Sequence, residues 1–216
     1  ELSWLRLLRA RRLGPTTFRR LIADAEGSAE AALAELPAIA AAAGVDGYAP
    51  CPPEAARAEL DAGRRAGAVP LFLDHPAFPA LLREEDDAPP LLWARGDLSL
   101  LARPAIGLVG ARNASSLGLR MARSLARGLG AAGFVTVSGL ARGIDAAAHE
   151  ASLETGTIAV LAGGVDVTYP PENAHLLARI AEAGIVLSEM PPGLRPQARH
   201  FPRRNRIIAG LSRALV

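Results

Sequence analysis

The pattern of hydrophobic positions changes near residue 100 of the chain. Before that point, apolar residues recur three and four positions apart, which is the spacing of an amphipathic helix, and proline and glycine separate the segments. We therefore predict a small helical domain over residues 1–67. Residues 68–103 are predicted to be a connecting segment that contains short strands.

From residue 104 onwards, short apolar runs alternate with longer amphipathic segments. The runs predict strands at 105–109, 134–138, 157–161 and 185–188, with a further strand starting at Ala214. Each run is apolar almost throughout, which is typical of a parallel strand covered on both faces. Strict alternation of strand and helix predicts an α/β domain over 104–216, with an extended Rossmann-like, doubly wound, mainly parallel sheet. Because its last strand only begins at Ala214, we expect this domain to be incomplete at its C-terminus.

Sheets of this kind bind ligands at the carboxyl ends of their strands, so the loops that follow the strands are candidates for chemistry. The first loop combines Gly110 for a tight turn, Arg112 at the strand tip, and Ser115 or Ser116 as a cap for the next helix. The N–H groups of a helix N-terminus suit a phosphate. The dinucleotide fingerprint GxGxxG does not occur in this loop, where such a site would need it, so no conventional NAD site is expected. The alternative role of Arg112 is to pair with a surface carboxylate.

The second loop runs from Ser138 to His149 and contains two glycines that allow close backbone approach. Arg142 faces the same edge and is a candidate phosphate contact. We interpret Asp145 as the cap of the following helix. Asp145 and His149 lie four residues apart, a spacing that would permit general acid–base chemistry, but we predict structural hydrogen bonding for them.

The third loop begins with Gly163 and Gly164, which leave room for a ligand against the backbone. We interpret Asp166 and Tyr169 as braces of this loop. Asn173 is predicted to cap the helix that follows.

The fourth loop leads into a strongly basic tail. Glu189 is the last acidic residue, and six arginines follow it: Arg195, Arg199, Arg203, Arg204, Arg206 and Arg213. The formal net charge is only +2, so the chain up to Glu189 is acidic and the tail is expected to lack neutralising partners. Guanidinium groups beside Phe201 offer what single-stranded nucleic acid needs, which is charge for phosphates and a flat face for a base. A helix starting at Arg203 would place these cations at the positive end of its dipole, which favours a bound phosphate.

Composition excludes several classes of protein. All 24 basic residues are arginine, which rules out a P-loop NTPase and Schiff-base lysine chemistry. A single cysteine and four scattered histidines give no metal-ligand spacing, so neither a metal nor another cofactor is predicted. Without an apolar run of about 18 residues, no membrane span is predicted, and a cytoplasmic location is the default.

Several ordered motifs resemble the DNA-processing protein A (DprA/Smf) family. They are Val109-Gly-Ala-Arg112, Ser138-Gly-Leu-Ala-Arg-Gly-Ile-Asp145, Gly164-Val-Asp166, Tyr169-Pro170, Ser188-Glu189 and Phe201-Pro-Arg-Arg-Asn-Arg-Ile-Ile-Ala-Gly-Leu-Ser212. The resemblance covers 105–216, and the N-terminal third is similar to the family's small sterile-alpha-motif-like or helix-hairpin-helix-like domain. It implies a non-catalytic protein that binds single-stranded DNA, protects incoming DNA and helps load the RecA recombinase in natural transformation. It also implies a homodimer.

The resemblance further implies which residues bind nucleic acid. Arg112 would contact phosphate, Phe201 would stack on or wedge against a base, and four residues would line the basic pocket beside them: Arg203, Arg204, Asn205 and Arg206. The remaining candidates are Gly110, Asn113, Ser138, Gly139, Arg142 and Gly164. Pro171 and Glu172 stand where some members carry a basic residue.

Two other functions fit parts of the sequence. The first is a Rossmann-like nucleotide hydrolase of the phosphoribohydrolase type, although the stretch from Leu161 to Tyr169 lacks the third glycine and the glutamate of that loop. The second is an arginine-rich loop that binds a protein partner or packs within the molecule.

Overall fold

The computed structural model describes residues 1–11 and 13–216, and its N-terminal third is helical. The helices are α1 (Leu2–Leu8), α2 (Pro15–Asp24), α3 (Ala29–Ala42) and α4 (Pro53–Arg65). The first three share a core around Leu7, Phe18 and Leu33. The Trp4 ring connects this core to the rest of the molecule, since its centroid lies 5.5 Å from that of Phe18 and 5.6 Å from that of Phe72.

The centre of the molecule is a six-stranded sheet. Its strands are β1 (Val69–Phe72), β2 (Leu91–Gly96), β3 (Ala105–Gly107), β4 (Val135–Ser138), β5 (Thr157–Val160) and β6 (Ile185–Ser188). They lie in the order β1-β2-β6-β5-β4-β3, with β3 to β6 parallel and β1 and β2 antiparallel. Beyond β3, Leu215 forms a single parallel bridge to Gly107, where the sequence predicts a further strand.

Five helices accompany the sheet, together with short 3-10 turns at 98–102 and 171–173. They are α5 (Ala80–Glu84), α6 (Ser116–Ala131), α7 (Ile144–Ser152), α8 (Ala174–Ala183) and α9 (His200–Leu211).

The strands are buried on both faces because alternate side chains enter two different cores. Trp93 and Val186 point into the core shared with α4 and α8, whereas Leu92 and Leu187 point into the core shared with α5 and α9. The predicted α/β class with a mostly parallel sheet is therefore confirmed. The carboxyl ends of β3 to β6 meet at one edge of the sheet.

Two details differ from the sequence-based expectation. Residues 68–103 are not only a connecting segment, because their strands β1 and β2 belong to the main sheet. The domain boundaries remain predictions. Helix α9 begins at His200, three residues earlier than expected, because His200 closes a turn in which its Nδ1 accepts from the Gln197 amide at 3.2 Å. Arg204 and Arg206 therefore lie in the second turn, where the unfavourable dipole effect is weaker.

Over the described ranges, no helix is both long and apolar enough to cross a membrane.

Candidate nucleic-acid interface

A pocket opens where the loops after β3, β4 and β5 meet the start of α9. It is lined by Arg112, Gly139, Ala141, Arg142, Tyr169, Pro170, Phe201 and Arg204. We call it the aromatic pocket. Five of these residues are sequence-predicted candidates, contributed by the loops after β3 and β4 and by α9, so the fold brings together positions that are far apart in the chain.

Two aromatic rings and one guanidinium form the outer part of the aromatic pocket. The ring centroids of Tyr169 and Phe201 are 5.6 Å apart with an interplanar angle of 51°, and Tyr169 is 47% exposed. The Arg112 Cζ atom lies 5.6 Å from the Phe201 centroid. Within the part of the chain that the structure describes, Arg112 forms no ion pair, so the alternative pairing with a surface carboxylate does not occur. A flat apolar surface beside a free cation suits a base and its phosphate.

The sequence indicates Tyr169 only as a brace of its loop. The structure places its ring beside Phe201 at the surface. The signal in the sequence is an aromatic residue directly before proline in a strand-exit loop, a position that holds the ring away from regular structure.

Arg204 forms the floor of the aromatic pocket and is only 7% exposed. Its Nη1 donates to the main-chain oxygens of Gly139 at 2.5 Å and Val160 at 2.6 Å. Burial lowers the pKa of the guanidinium, the carboxylate of Asp145 opposes this, and the charge of Arg112 adds to it. A Cβ on Gly139 would overlap the guanidinium, so this glycine makes room for Arg204.

Two side chains hold the loop after β4 in place. Asp145 Oδ2 accepts from the main-chain N–H groups of Gly139 at 3.1 Å and Ala141 at 3.3 Å. Asn173 Nδ2 donates to the main-chain oxygens of Leu140 at 2.9 Å and Ala141 at 3.2 Å. The sequence predicts a helix cap for each of these two residues. The prediction is wrong for Asp145, because Gly143 is the N-terminal cap residue of α7. Asn173 does occupy the N-terminal cap position of α8, but its side chain bonds to the loop after β4 and not to the helix.

His149 is fully buried, and its hydrogen bonds support a structural role. His149 Nδ1 lies 2.7 Å from Thr157 Oγ1, which is itself 3.2 Å from the Thr136 carbonyl oxygen, so the ring belongs to a buried chain of hydrogen-bonding groups. Nε2 has no hydrogen-bond partner among the described residues. Burial, followed by the charge of Arg204, lowers the pKa of His149 to about 3, although protonation would add a bond to the Ser138 main chain. The imidazole is therefore neutral at physiological pH.

Arg203 and Arg206 do not line the aromatic pocket. Both bind the carboxylate of Glu189, which is only 8% exposed, and the Arg203 Nη2 to Glu189 Oε1 distance is 2.9 Å. Arg206 Nη1 also donates to the main-chain oxygen of Asp87 at 2.7 Å. The expectation that the tail arginines lack neutralising partners is wrong for these two. For them and for Arg204, the structure matches the alternative in which the arginines pack within the molecule.

The structure places four other predicted residues in different surroundings. Ser115 caps α6, as expected, by accepting from the Gly118 N–H at 3.2 Å. Ser138 is buried and donates to the Leu108 carbonyl at 2.6 Å. Asn113 is exposed on the Arg112 loop and lines neither of the pockets described here. Arg142 makes only an exposed 3.5 Å pair with Glu172, which is weak and leaves it available.

The glycines of two loops serve internal packing. A Cβ on Gly110 would meet the side chain of Ile144 at 2.7 Å, and one on Gly164 would meet the Pro191 carbonyl at 2.7 Å. The space expected beside Gly163 and Gly164 is thus filled by the protein's own loop at 191–196.

A second pocket of about 310 Å³ adjoins the aromatic pocket and shares Arg112, Ala141 and Arg204 with it. Its remaining lining residues are Val109, Gly110, Asp145, Asn205, Ile208 and Leu215. No group of histidine, cysteine, aspartate and glutamate that could hold a metal ion occurs among the residues described.

Solved structures similar to this one come from DNA processing proteins. One is an X-ray structure of DNA processing protein A from Streptococcus pneumoniae. Its superposition covers 100% of this chain and 76% of that chain, with a TM-score of 0.79 and 34% sequence identity. A second structure describes the single-stranded DNA binding mode of DNA processing protein A from Helicobacter pylori. It covers 69% of each chain with a TM-score of 0.63 and 30% identity.

Sequence comparison leads to the same group. The chain is 46% identical over 155 residues to protein Smf of Synechocystis, covering 68% of this chain and 39% of that protein. It is 41% identical over 160 residues to DNA processing protein DprA of Bacillus subtilis, and the match covers 73% of this chain and 54% of that protein. The chain thus spans about half or less of the length of these curated relatives. Residues 1–62 match the DprA-like N-terminal HHH domain, and residues 70–216 match the family model of DNA recombination-mediator protein A. The chain belongs to the DNA recombination-mediator protein A family.

Proposed function

We propose that this chain binds single-stranded DNA at the aromatic pocket. The observation that carries the proposal is the exposed Arg112 guanidinium set against the Phe201 and Tyr169 rings. A base that stacks on an aromatic side chain gains about 1–3 kcal/mol, and the stacking tolerates any base because each has a π-face. Arg112, with Arg142 on the neighbouring loop, supplies positive charge for the adjoining phosphates.

The pocket geometry favours a single strand over a duplex. The rings can stack only on a base whose face is free, and the faces of bases inside a duplex are covered by their neighbours. The single-stranded DNA binding mode described for the Helicobacter pylori relative supports this part of the proposal.

The role of the protein in the cell is a further proposal, which rests on family membership. We infer that it protects incoming DNA and helps load the RecA recombinase during natural transformation and recombination, acting as a cytoplasmic homodimer. Its action on DNA is binding without catalysis. Arg112 and Phe201 would hold the strand, and surfaces for RecA and for the second protomer would lie elsewhere.

A mobility-shift comparison tests the binding step. We expect a labelled single strand to bind more tightly than the matching duplex. The affinity for the single strand should fall steeply between about 50 mM and about 200 mM salt, because phosphate contacts release counterions. Equal binding of both DNA forms would contradict the proposal. Release of free base from a nucleoside monophosphate would instead support the hydrolase alternative.

A further inference from the structure

The second pocket combines an apolar wall with buried charged groups. Val109, Ile208 and Leu215 line one side, while Asp145 and Arg204 reach it from the loop after β4 and from α9. Its volume of about 310 Å³ is within the range of small-molecule sites.

Two polar atoms at this pocket are left without protein partners. Asp145 is only 5% exposed, and while its Oδ2 accepts two main-chain N–H groups, its Oδ1 makes no hydrogen bond within the described structure. Arg204 uses Nη1 and Nε for its hydrogen bonds, and Nη2 donates to none of the described residues. Both side chains are largely buried, while these two atoms are not among the fully enclosed atoms that lack a partner. A carboxylate oxygen and a guanidinium N–H left free at one pocket suit a ligand with both a donor and an acceptor.

We propose that the second pocket takes a nucleobase that carries an exocyclic amino group, such as cytosine. This inference rests on the proposed binding of single-stranded DNA. The amino group would donate to Asp145 Oδ1, the adjacent ring nitrogen or carbonyl would accept from Arg204, and the apolar wall would cover the flat face of the ring. Carboxylates accept from the cytosine amino group in the same way in base readout.

The buried carboxylate argues against other occupants. A phosphate could pair with Arg112 and Arg204, but at neutral pH it would offer Asp145 only acceptor oxygens, so Oδ1 would stay unpaired and would face a like charge at close range. Uracil and thymine present a carbonyl where cytosine has its amino group, so two acceptors would face each other.

The two pockets are close enough to serve one strand. Arg112 and Arg204 line both of them, so a base in the second pocket and a base on Phe201 would flank the same cation pair. The aromatic pocket would bind any base, and the second pocket would add a preference at one position of the strand.

Oligo-dC and oligo-dU of equal length provide the direct test, since the two bases differ at the amino position and in ring protonation but not in size. We expect the wild-type chain to bind oligo-dC about fivefold to tenfold more tightly. An oligomer of 2-pyrimidinone, which lacks the amino group but keeps the ring nitrogen and carbonyl, should lose that advantage.

Asp145→Asn provides a variant test. The amide oxygen can still accept from Gly139 and Ala141, while the amide NH₂ would replace Oδ1 at the pocket and donate to the uracil carbonyl. The preference for oligo-dC should therefore disappear or reverse. Asp166→Asn is the matched control, because Asp166 also braces a loop, through a 2.7 Å bond from the Gly193 N–H, but lines neither pocket.

The possible binding results distinguish failure of this inference from failure of the proposed function. A wild-type preference for oligo-dC that is kept in Asp166→Asn and lost in Asp145→Asn supports the inference. Equal wild-type affinity for oligo-dC, oligo-dU and the pyrimidinone oligomer overturns it while leaving the proposed function intact. Tighter binding of every oligomer by Asp145→Asn would also overturn it, since that result identifies an anion site. Failure of all oligomers to bind would overturn the proposed function as well.

Discussion

At Arg204, the chain buries a guanidinium against main-chain carbonyls, with no carboxylate at ion-pair distance among the described residues. This arrangement keeps the positive charge available to a ligand, whereas Arg203 and Arg206 are neutralised by Glu189. The same motif therefore supplies one cation to the site and uses two to hold the helix. Sequence inspection cannot make this distinction, because neighbouring arginines on a helix point in different directions.

The contact between Arg204 and Gly139 leads to a stability prediction. In Gly139→Ala the new Cβ would overlap the guanidinium, so we expect a loss of about 1–3 kcal/mol of unfolding free energy, as for other overpacked sites. Denaturant unfolding measures it. Gly128→Ala is the control, because nothing lies within 4 Å of that position in α6, and it should increase the unfolding free energy by about 0.5–1 kcal/mol. Similar effects for both variants would show that Arg204 does not occupy the space over Gly139.

The lowered pKa of His149 leads to a prediction of how the free energy of unfolding depends on pH. Its pKa is about 3 in the folded chain against an ordinary 6.5, so between these values the unfolded state binds a proton that the folded state does not. Stability should therefore fall on acidification, by about 2 kcal/mol between about pH 7.5 and pH 5 from this residue alone. His149→Gln should flatten the pH dependence of the unfolding free energy, and the exposed His175→Gln should leave it unchanged. An equally steep dependence in His149→Gln would disprove the assignment.

Among the elements, α9 is fixed to the sheet by polar contacts as well as by its apolar face. Ile207, Ile208 and Leu211 enter the core beneath β4 to β6, while Arg203 and Arg206 bind Glu189 at the end of β6. The helix start that carries Phe201 is thereby held over the carboxyl ends of the strands. The position of the stacking ring thus depends on an ion-pair cluster outside the pocket.

Glu189→Gln tests this cluster. Replacing a largely buried carboxylate that binds two arginines should cost about 1.5–3 kcal/mol of unfolding free energy. The released arginines should also steepen the salt dependence of single-strand binding, by about 0.7 in slope for each additional phosphate that they neutralise. Glu172→Gln, which removes only the exposed pair with Arg142, should cost less than about 1 kcal/mol. Wild-type stability in Glu189→Gln would contradict the role of the cluster.

The elements of the α/β region were predictable because their apolar runs are continuous and lie between clear turn signals. The start of α9 and the role of Asp145 were not, since each depends on a short-range side-chain bond, to Gln197 and to Gly139 and Ala141, that helix periodicity does not indicate. The role of Asn173 was not predictable either, because its partners Leu140 and Ala141 lie in another loop. Arg206 shows the difficulty most plainly: its contacts are Glu189, 17 residues away, and Asp87, 119 residues away. Local propensity holds no information on such pairs.

For the whole molecule, the parallel strands determine which residues can meet. They bring Arg112, Arg142, Tyr169 and Phe201 to one edge, and this edge carries both pockets. The motifs identified Arg112 and Phe201 as a pair from sequence alone. The second pocket could not be foreseen, because its apolar wall joins Val109, Ile208 and Leu215 from three separate segments.

The central claim is that Arg112 and the aromatic pair together bind single-stranded DNA. Fluorescence anisotropy with labelled oligo-dT, at several salt concentrations, tests it most directly. Phe201→Leu should weaken binding by about 1–3 kcal/mol, the value of one stacked base, and Arg112→Ala should lower the salt slope by about 0.7. Phe134→Leu, just before β4 at the opposite end of the sheet, should change neither. Wild-type affinity and salt slope in the Arg112→Ala, Phe201→Leu double variant would contradict the claim.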